Sequence, residues 1–114
     1  MNRLRKAVDN DEFELRFQPI NRIHTGETTH HEVLIRLRND DNNVVSPDAF
    51  LPSAVRFGLM TEIDFWMIEN AAKAHSVYSV PARHLRFSIN LSANAFENDD
   101  LVAHIETCFE KYKI

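Results

Sequence analysis

Cysteine occurs once in the 114 residues, at Cys108, which excludes a disulfide framework and a cysteine-rich zinc site. Two glycines and four prolines are too few for collagen-like, linker or low-complexity sequence. No apolar run approaches the ~20 residues of a membrane span. Positive charge is not in excess: 13 Lys and Arg stand against 17 Asp and Glu, a net charge of −4. A general nucleic-acid coat is thereby excluded, and neither DNA nor RNA is expected as a partner. Any phosphate ligand must be gripped by a few local cations or metals. The basic start, Met1-Asn2-Arg3-Leu4-Arg5-Lys6, is followed by no long apolar segment and is not a secretory signal. A reducing, cytoplasmic setting is the expectation. What is present, 44% hydrophobic and 26% charged residues, is the balance of one ordinary globular domain at most.

Punctuation divides the chain into short elements. A brief helix over 4–9 places Leu4, Ala7 and Val8 on one side, with Arg3, Arg5 and Lys6 on its solvated side. Phe13, Leu15 and Phe17 then alternate with Glu14, Arg16 and Gln18, the period of a strand, and Pro19 marks its end. Thr25-Gly26-Glu27 reads as a turn into a second strand over 28–38, and Asn39-Asp40-Asp41-Asn42-Asn43 as a solvated loop. Ser46 and Pro47 open a helix with Phe50, Ala54 and Phe57 on its apolar side, closed by Gly58. Thr61-x-x-Asp64 predicts a capping box for a longer helix with an apolar stripe of Ile63, Trp66, Met67, Ala71 and Ala74, ended by Pro81. A third strand covers 85–91. Asp99 or Asp100 caps a last helix that buries Leu101, Ile105, Cys108 and Tyr112. The order is mixed α/β. The first two strands are expected to be antiparallel neighbours, and the second and third a right-handed parallel crossover.

Each strand carries one apolar and one polar line. Glu14, Arg16 and Gln18 oppose Phe13, Leu15 and Phe17; Glu32, Leu34 and Arg36 oppose Val33, Ile35 and Leu37; Arg86, Ser88, Asn90 and Ser92 oppose Phe87, Ile89 and Leu91. Two architectures fit: an α+β layer with one sheet face in water, or a barrel whose lumen or rim holds a polar site. Residue type leans toward the second. The polar line contains Gln, Glu, Arg, Ser and Asn but no Lys. Such groups ligate metals or hold phosphates.

Six motifs, in order and in register, resemble one family. Phe17-Gln18-Pro19-Ile20 is similar to the Y/F-Q-P-I strand of EAL domains, and Glu32-Val33-Leu34-Ile35-Arg36-Leu37 to their name-giving E-A-L-L-R-W. Ser46-Pro47-Asp48-Ala49-Phe50-Leu51-Pro52-Ser53-Ala54 resembles P-x-x-F-I-P-x-A, Phe57-Gly58-Leu59-Met60 resembles x-G-L-I, Asp64-Phe65-Trp66 resembles D-x-W, and Ser88-Ile89-Asn90-Leu91-Ser92 resembles V-N-L-S.

The resemblance implies a cyclic-di-GMP phosphodiesterase family of bacterial second-messenger signalling, which hydrolyses cyclic di-GMP to linear pGpG with Mg²⁺ or Mn²⁺. It implies a modified TIM barrel with an antiparallel first strand, frequent homodimers, and sensory or diguanylate-cyclase-like domains upstream. Carried over residue by residue, Glu32 and Asn90 are metal ligands, Arg36 contacts a substrate phosphate, Gln18 sits at the substrate and Leu34 lines the nucleotide site. No residue of the chain is assigned as the catalytic base. The chemistry suits the types. Mg²⁺ and Mn²⁺ prefer oxygen ligands, a metal lowers the pKa of bound water, and Arg offers a planar fork to phosphate. Glu32 and Arg36 are roughly 13 Å apart at Cα along one strand, the reach of a ligand rather than of an ion pair.

The departures are specific. Val33 replaces the motif alanine on the helix-facing side, Leu37 replaces an aromatic, and Val55 stands where the family carries a glutamate. A TIM barrel needs about 250 residues. Residues 1–114 are therefore expected to be the N-terminal portion of a single EAL domain, a barrel cut after about three strands and inactive alone. A degenerate receptor that binds without cutting, or a stand-alone interaction module, are the other readings. His30 and His31, adjacent on a strand, face opposite ways; His24, His75, His84 and His104 show no metal spacing. Cys108 and Trp66 read as packing residues.

Overall fold

A computed structural model describes residues 2–38, 41, 43–79 and 84–114. Among the described residues nine elements follow one another: α1 (Asn2–Asp9), β1 (Phe13–Asn21), β2 (Thr28–Arg38), β3 (Val44–Val45), α2 (Pro47–Arg56), α3 (Met60–Tyr78), β4 (Phe87–Ile89), α4 (Ala93–Glu97) and α5 (Leu101–Lys111). β2 is the hub of the sheet. β1 runs antiparallel along one edge of it, from Phe13 opposite Leu37 to Asn21 opposite Thr28. β4 runs parallel to it, with His31, Glu32 and Val33 opposite Phe87, Ser88 and Ile89. β3 pairs antiparallel with its last two residues. Both the antiparallel first pair and the parallel crossover expected from the pattern are present.

Alternation decides which face is covered. Phe13, Val33, Ile35 and Leu37 are buried with Leu4, Ala7, Phe50, Ala54, Leu59, Ile63, Met67 and Ala71, so α1, α2 and α3 lie on the apolar face. Phe13 packs at 5.7 Å from the Phe50 ring and 5.5 Å from the Trp66 ring. Val33, the replacement for the motif alanine, is 1% exposed on that side and leaves Glu32 on the other. α3 has a second buried edge. Ile68 and Ala72 pack with Ala95, Leu101 and Cys108, which seats α5 on the outside of α3.

Several boundaries differ from the sequence reading for physical reasons. Pro19 does not end β1. The strand continues to Asn21, past a register shift after Ile20, because its pairing with β2 carries on through Pro19 opposite His31 and Ile20 opposite His30. The third strand shrinks from 85–91 to Phe87–Ile89. β3 and α4, of two and five residues, are too short to show a period. Phe57 is 45% exposed, because α2 stops at Arg56; beyond Gly58 (φ 71°) the next residue, Leu59, enters the core instead at 1%. Pro81 and three of the five residues of the Asn39–Asn43 loop lie outside the described residues.

Candidate functional site

The polar line of the sheet converges near the end of β4. Gln18 of β1 stands directly across from Glu32 of β2, and Ser88 of β4 stands on the other side of Glu32. Two residues past Ser88 the strand has ended, and Asn90 donates from Nδ2 to Glu32 Oε1 at 2.8 Å. A glutamate and an asparagine 58 positions apart in sequence are thus brought side by side. Leu34 is two residues further along β2 on the same face. It also borders a cavity of about 400 Å³, but that cavity is walled largely from the helix-covered side, by Val33, Ile35, Leu51, Met60, Ile63 and Met67, together with Asp64, Asn90 and Ser92. Arg36 lies at the far end of the line, where Nη1 donates to its neighbour's carbonyl, Ile35 O, at 2.8 Å. Four of the five predicted site residues therefore cluster, while Arg36 is held apart from Glu32 by four positions of strand.

The donor set at Glu32 and Asn90 suits a hard cation. A half-turn of the Asn90 amide presents Oδ1 beside the carboxylate, giving two oxygen ligands at one point. Mg²⁺ wants about six. Among the described residues no group of three His, Cys, Asp or Glu is gathered to hold a metal. His75 and His104 point Nε2 at the carbonyls of Leu85 and Phe65, at 2.9 and 3.0 Å. A carbonyl only accepts, so each Nε2 carries a proton and donates.

Asp64 is the functional-site neighbour that the sequence reading misplaced. The expected capping box does not form: α3 begins at Met60, with Leu59 at its N-cap position and no side-chain cap bond. Asp64 is instead 2% exposed. It accepts from Ser92 N–H at 3.3 and 3.4 Å and from the Ser92 hydroxyl on Oδ2. Ser92 follows Asn90 by two residues, so this carboxylate anchors the turn that carries the asparagine. A clue existed in sequence, an acid flanked by the buried Ile63 and Met67, but a plausible cap obscured it.

Burial pushes the Asp64 carboxyl above its ordinary value, and the Ser92 hydroxyl and N–H oppose that shift without cancelling it. An acid whose folded pKa is raised contributes stability that is complete below the unfolded value of 3.8 and is lost as pH rises through the folded value. Asp64→Asn removes this titration. Thermal melts from pH 3 to pH 7 are expected to show wild type losing stability relative to the variant as pH rises. A difference that is flat in pH would refute the assignment.

Compared with known proteins, the chain matches the EAL domain family over residues 1–114. The chain belongs to the EAL domain family. It is 36% identical over 116 residues to the cyclic di-GMP phosphodiesterase PdeF of Escherichia coli strain K12, covering 100% of this chain and 15% of that protein. It is 33% identical over 111 residues to the signaling protein YkoW of Bacillus subtilis strain 168, covering 97% of this chain and 14% of that protein. Among solved structures, the FimX EAL domain from Pseudomonas aeruginosa bound to c-di-GMP superimposes with a TM-score of 0.85 at 26% identity, over 99% of this chain and 45% of that one. The chain therefore spans about one seventh of these curated relatives and under half of the solved EAL domain. The fold is a partial EAL-type barrel with an antiparallel first strand. Among the described residues, no helix is long and apolar enough to cross a membrane.

Proposed function

We propose that residues 1–114 form the N-terminal portion of an EAL domain and supply part of a metal-dependent cyclic-di-GMP phosphodiesterase site in the cytoplasm. The observation that carries this reading is the Glu32–Asn90 contact at 2.8 Å on the polar face, with Gln18 directly across from Glu32. Glu32 and Asn90 hold the divalent cation, Mg²⁺ or Mn²⁺. Gln18, across the strand from Glu32, addresses the substrate with its amide. Leu34 presents an apolar side chain to the nucleotide. Arg36 offers its guanidinium to a phosphate. A bound cation supplies an acidified water and charge stabilisation at the scissile phosphodiester. This chain's residues orient the dinucleotide against that point.

Binding without hydrolysis is the second reading, and Val55 motivates it in sequence. That residue is 63% exposed on α2, on the helix-covered side of the sheet, so its replacement of a glutamate removes no group from the polar face. The reading as a hydrolytic domain is therefore preferred.

The test is binding to the 114-residue chain. Electron paramagnetic titration is expected to show Mn²⁺ binding that Glu32→Gln removes. Equilibrium dialysis with cyclic di-GMP is expected to show Arg36→Ala weakening binding by about tenfold, the scale of one charge-assisted phosphate contact. Mn²⁺ affinity unchanged by Glu32→Gln would overturn the metal assignment.

A further inference from the structure

The polar face of β1 and β2 holds an arginine to which the family motifs give no role. Arg16 lies in β1 directly across from Leu34, and Glu14 lies directly across from Arg36. Glu14 accepts from two guanidinium groups at once, Arg16 Nη2 on Oε1 and Arg38 Nη2 on Oε2, each at 2.7 Å. Arg16 remains 55% exposed at its side chain while held in this way. Its long stem is thus fixed over the sheet by a carboxylate beside Arg36, and its head stays open to solvent.

Position along the strands gives Arg16 its meaning. Leu34 is about 7 Å along β2 from Glu32, and Arg36 is about 13 Å from it, at roughly 3.3 Å per residue. Directly opposed side chains on neighbouring strands stand about 5 Å apart at Cβ. A ligand that touches the Glu32–Asn90 pair at one end and Arg36 at the other must pass over Leu34 and its cross-strand neighbour. Leu34 offers no polar contact. Arg16 does: its guanidinium has five N–H donors in a fixed fork, and the Glu14 contact is made through Nη2. Cyclic di-GMP carries two phosphodiesters, and the Glu32–Asn90 pair accounts for one.

We infer that Arg16, together with Arg36, grips the phosphodiester remote from the Glu32–Asn90 pair, with Glu14 holding the Arg16 head in place. Arg16 is then a substrate-binding residue that sets affinity for a two-phosphate ligand. This rests on the reading of the site as a cyclic-di-GMP site.

The experiment uses the 114-residue chain with Mg²⁺ and cyclic di-GMP, reading affinity by equilibrium dialysis and the Arg16 Nε–Hε resonance by NMR. Arg16→Gln is expected to weaken binding by about tenfold and Arg16→Lys by less, because a point charge keeps attraction but loses the fork. Arg56→Gln, which removes the same charge from α2, is expected to leave affinity unchanged. The Arg16 resonance is expected to move with cyclic di-GMP and not with the same concentration of inorganic phosphate. If Arg36→Ala weakens binding and Arg16→Gln does not, the Arg16 role is overturned and the site reading stands. If inorganic phosphate moves the resonance equally, the patch is a general anion site and the role is likewise overturned. If wild type binds no cyclic di-GMP, the site reading itself falls, and the Arg16 role with it.

Discussion

Residues 1–114, purified and incubated with Mn²⁺ and cyclic di-GMP, are expected to yield no pGpG. The described residues offer at most two oxygen ligands at one point, Glu32 and, after a half-turn of its amide, Asn90, where a divalent cation of this kind takes about six. A cation so held keeps most of its water shell and has no fixed orientation toward a phosphodiester. In-line displacement needs the attacking and leaving oxygens both stabilised, and a loosely held ion cannot be preorganised for that. No described side chain near Glu32 is placed as a base: the carboxylate itself is tied to Asn90, and Asp64 is committed to Ser92. The loss is therefore of turnover rather than of binding, and the two separate experimentally. Product chromatography after prolonged incubation reads the first, dialysis the second. Detectable pGpG above the rate with Glu32→Gln would show that the chain assembles a working centre, and would overturn the count of ligands on which the expectation rests.

The parts of this fold that were legible in sequence are those where one physical signal dominates. Phe13, Leu15 and Phe17 against Glu14, Arg16 and Gln18 leave no choice of period, and Val33, Ile35 and Leu37 repeat the pattern in the strand that became the hub. The helix faces through Ile63, Met67 and Ala71, and through Leu101 and Cys108, are buried as their spacing requires. What escaped reading depended on partners far away in sequence. Asp64 obeys a tertiary partner, Ser92, rather than the local cap that Thr61 suggested. Pro19 sits inside a strand because the pairing of β1 with β2 runs on past it, with Pro19 opposite His31, a fact of topology and not of composition. At the site, the residue types Glu32 and Asn90 were legible through motif resemblance alone. Their contact requires the parallel register that sets Glu32 opposite Ser88, which no local pattern encodes. Glu14 as the shared partner of Arg16 and Arg38 likewise follows from strand register rather than spacing.

The 114-residue chain is expected to self-associate in solution. Among the described residues β1 and β4 each pair on one side only, with β2, so both leave an edge able to template another strand. Beside β4 runs a groove of about 500 Å³ lined by Ile68, Ala72, Leu85, Phe87, Ile89 and Ile105, between α3 and α5. Apolar side chains continue onto the surface: Phe109 on the groove wall is 45% exposed, and Phe96 and Val102 are 69% and 64% exposed. Water contact with a few hundred Å² of such surface, at about 25 cal/mol per Å², leaves several kcal/mol available to a partner that covers it. In a pure solution the available partner is a second copy, and the closed arrangement of two identical faces is a two-fold dimer. Sedimentation velocity from low to high micromolar concentration is expected to show a rising weight-average mass that reaches the dimer. Phe109→Lys places a charge on the exposed rim of the groove without entering the core, and is expected to shift the midpoint of association upward by tenfold or more. If only the edges of β1 and β4 drive pairing, that variant associates like wild type while thioflavin-positive material accumulates, and the groove is then not the contact. A compact monomer at high micromolar concentration would show that the chain satisfies its own edges and buries the groove within one copy.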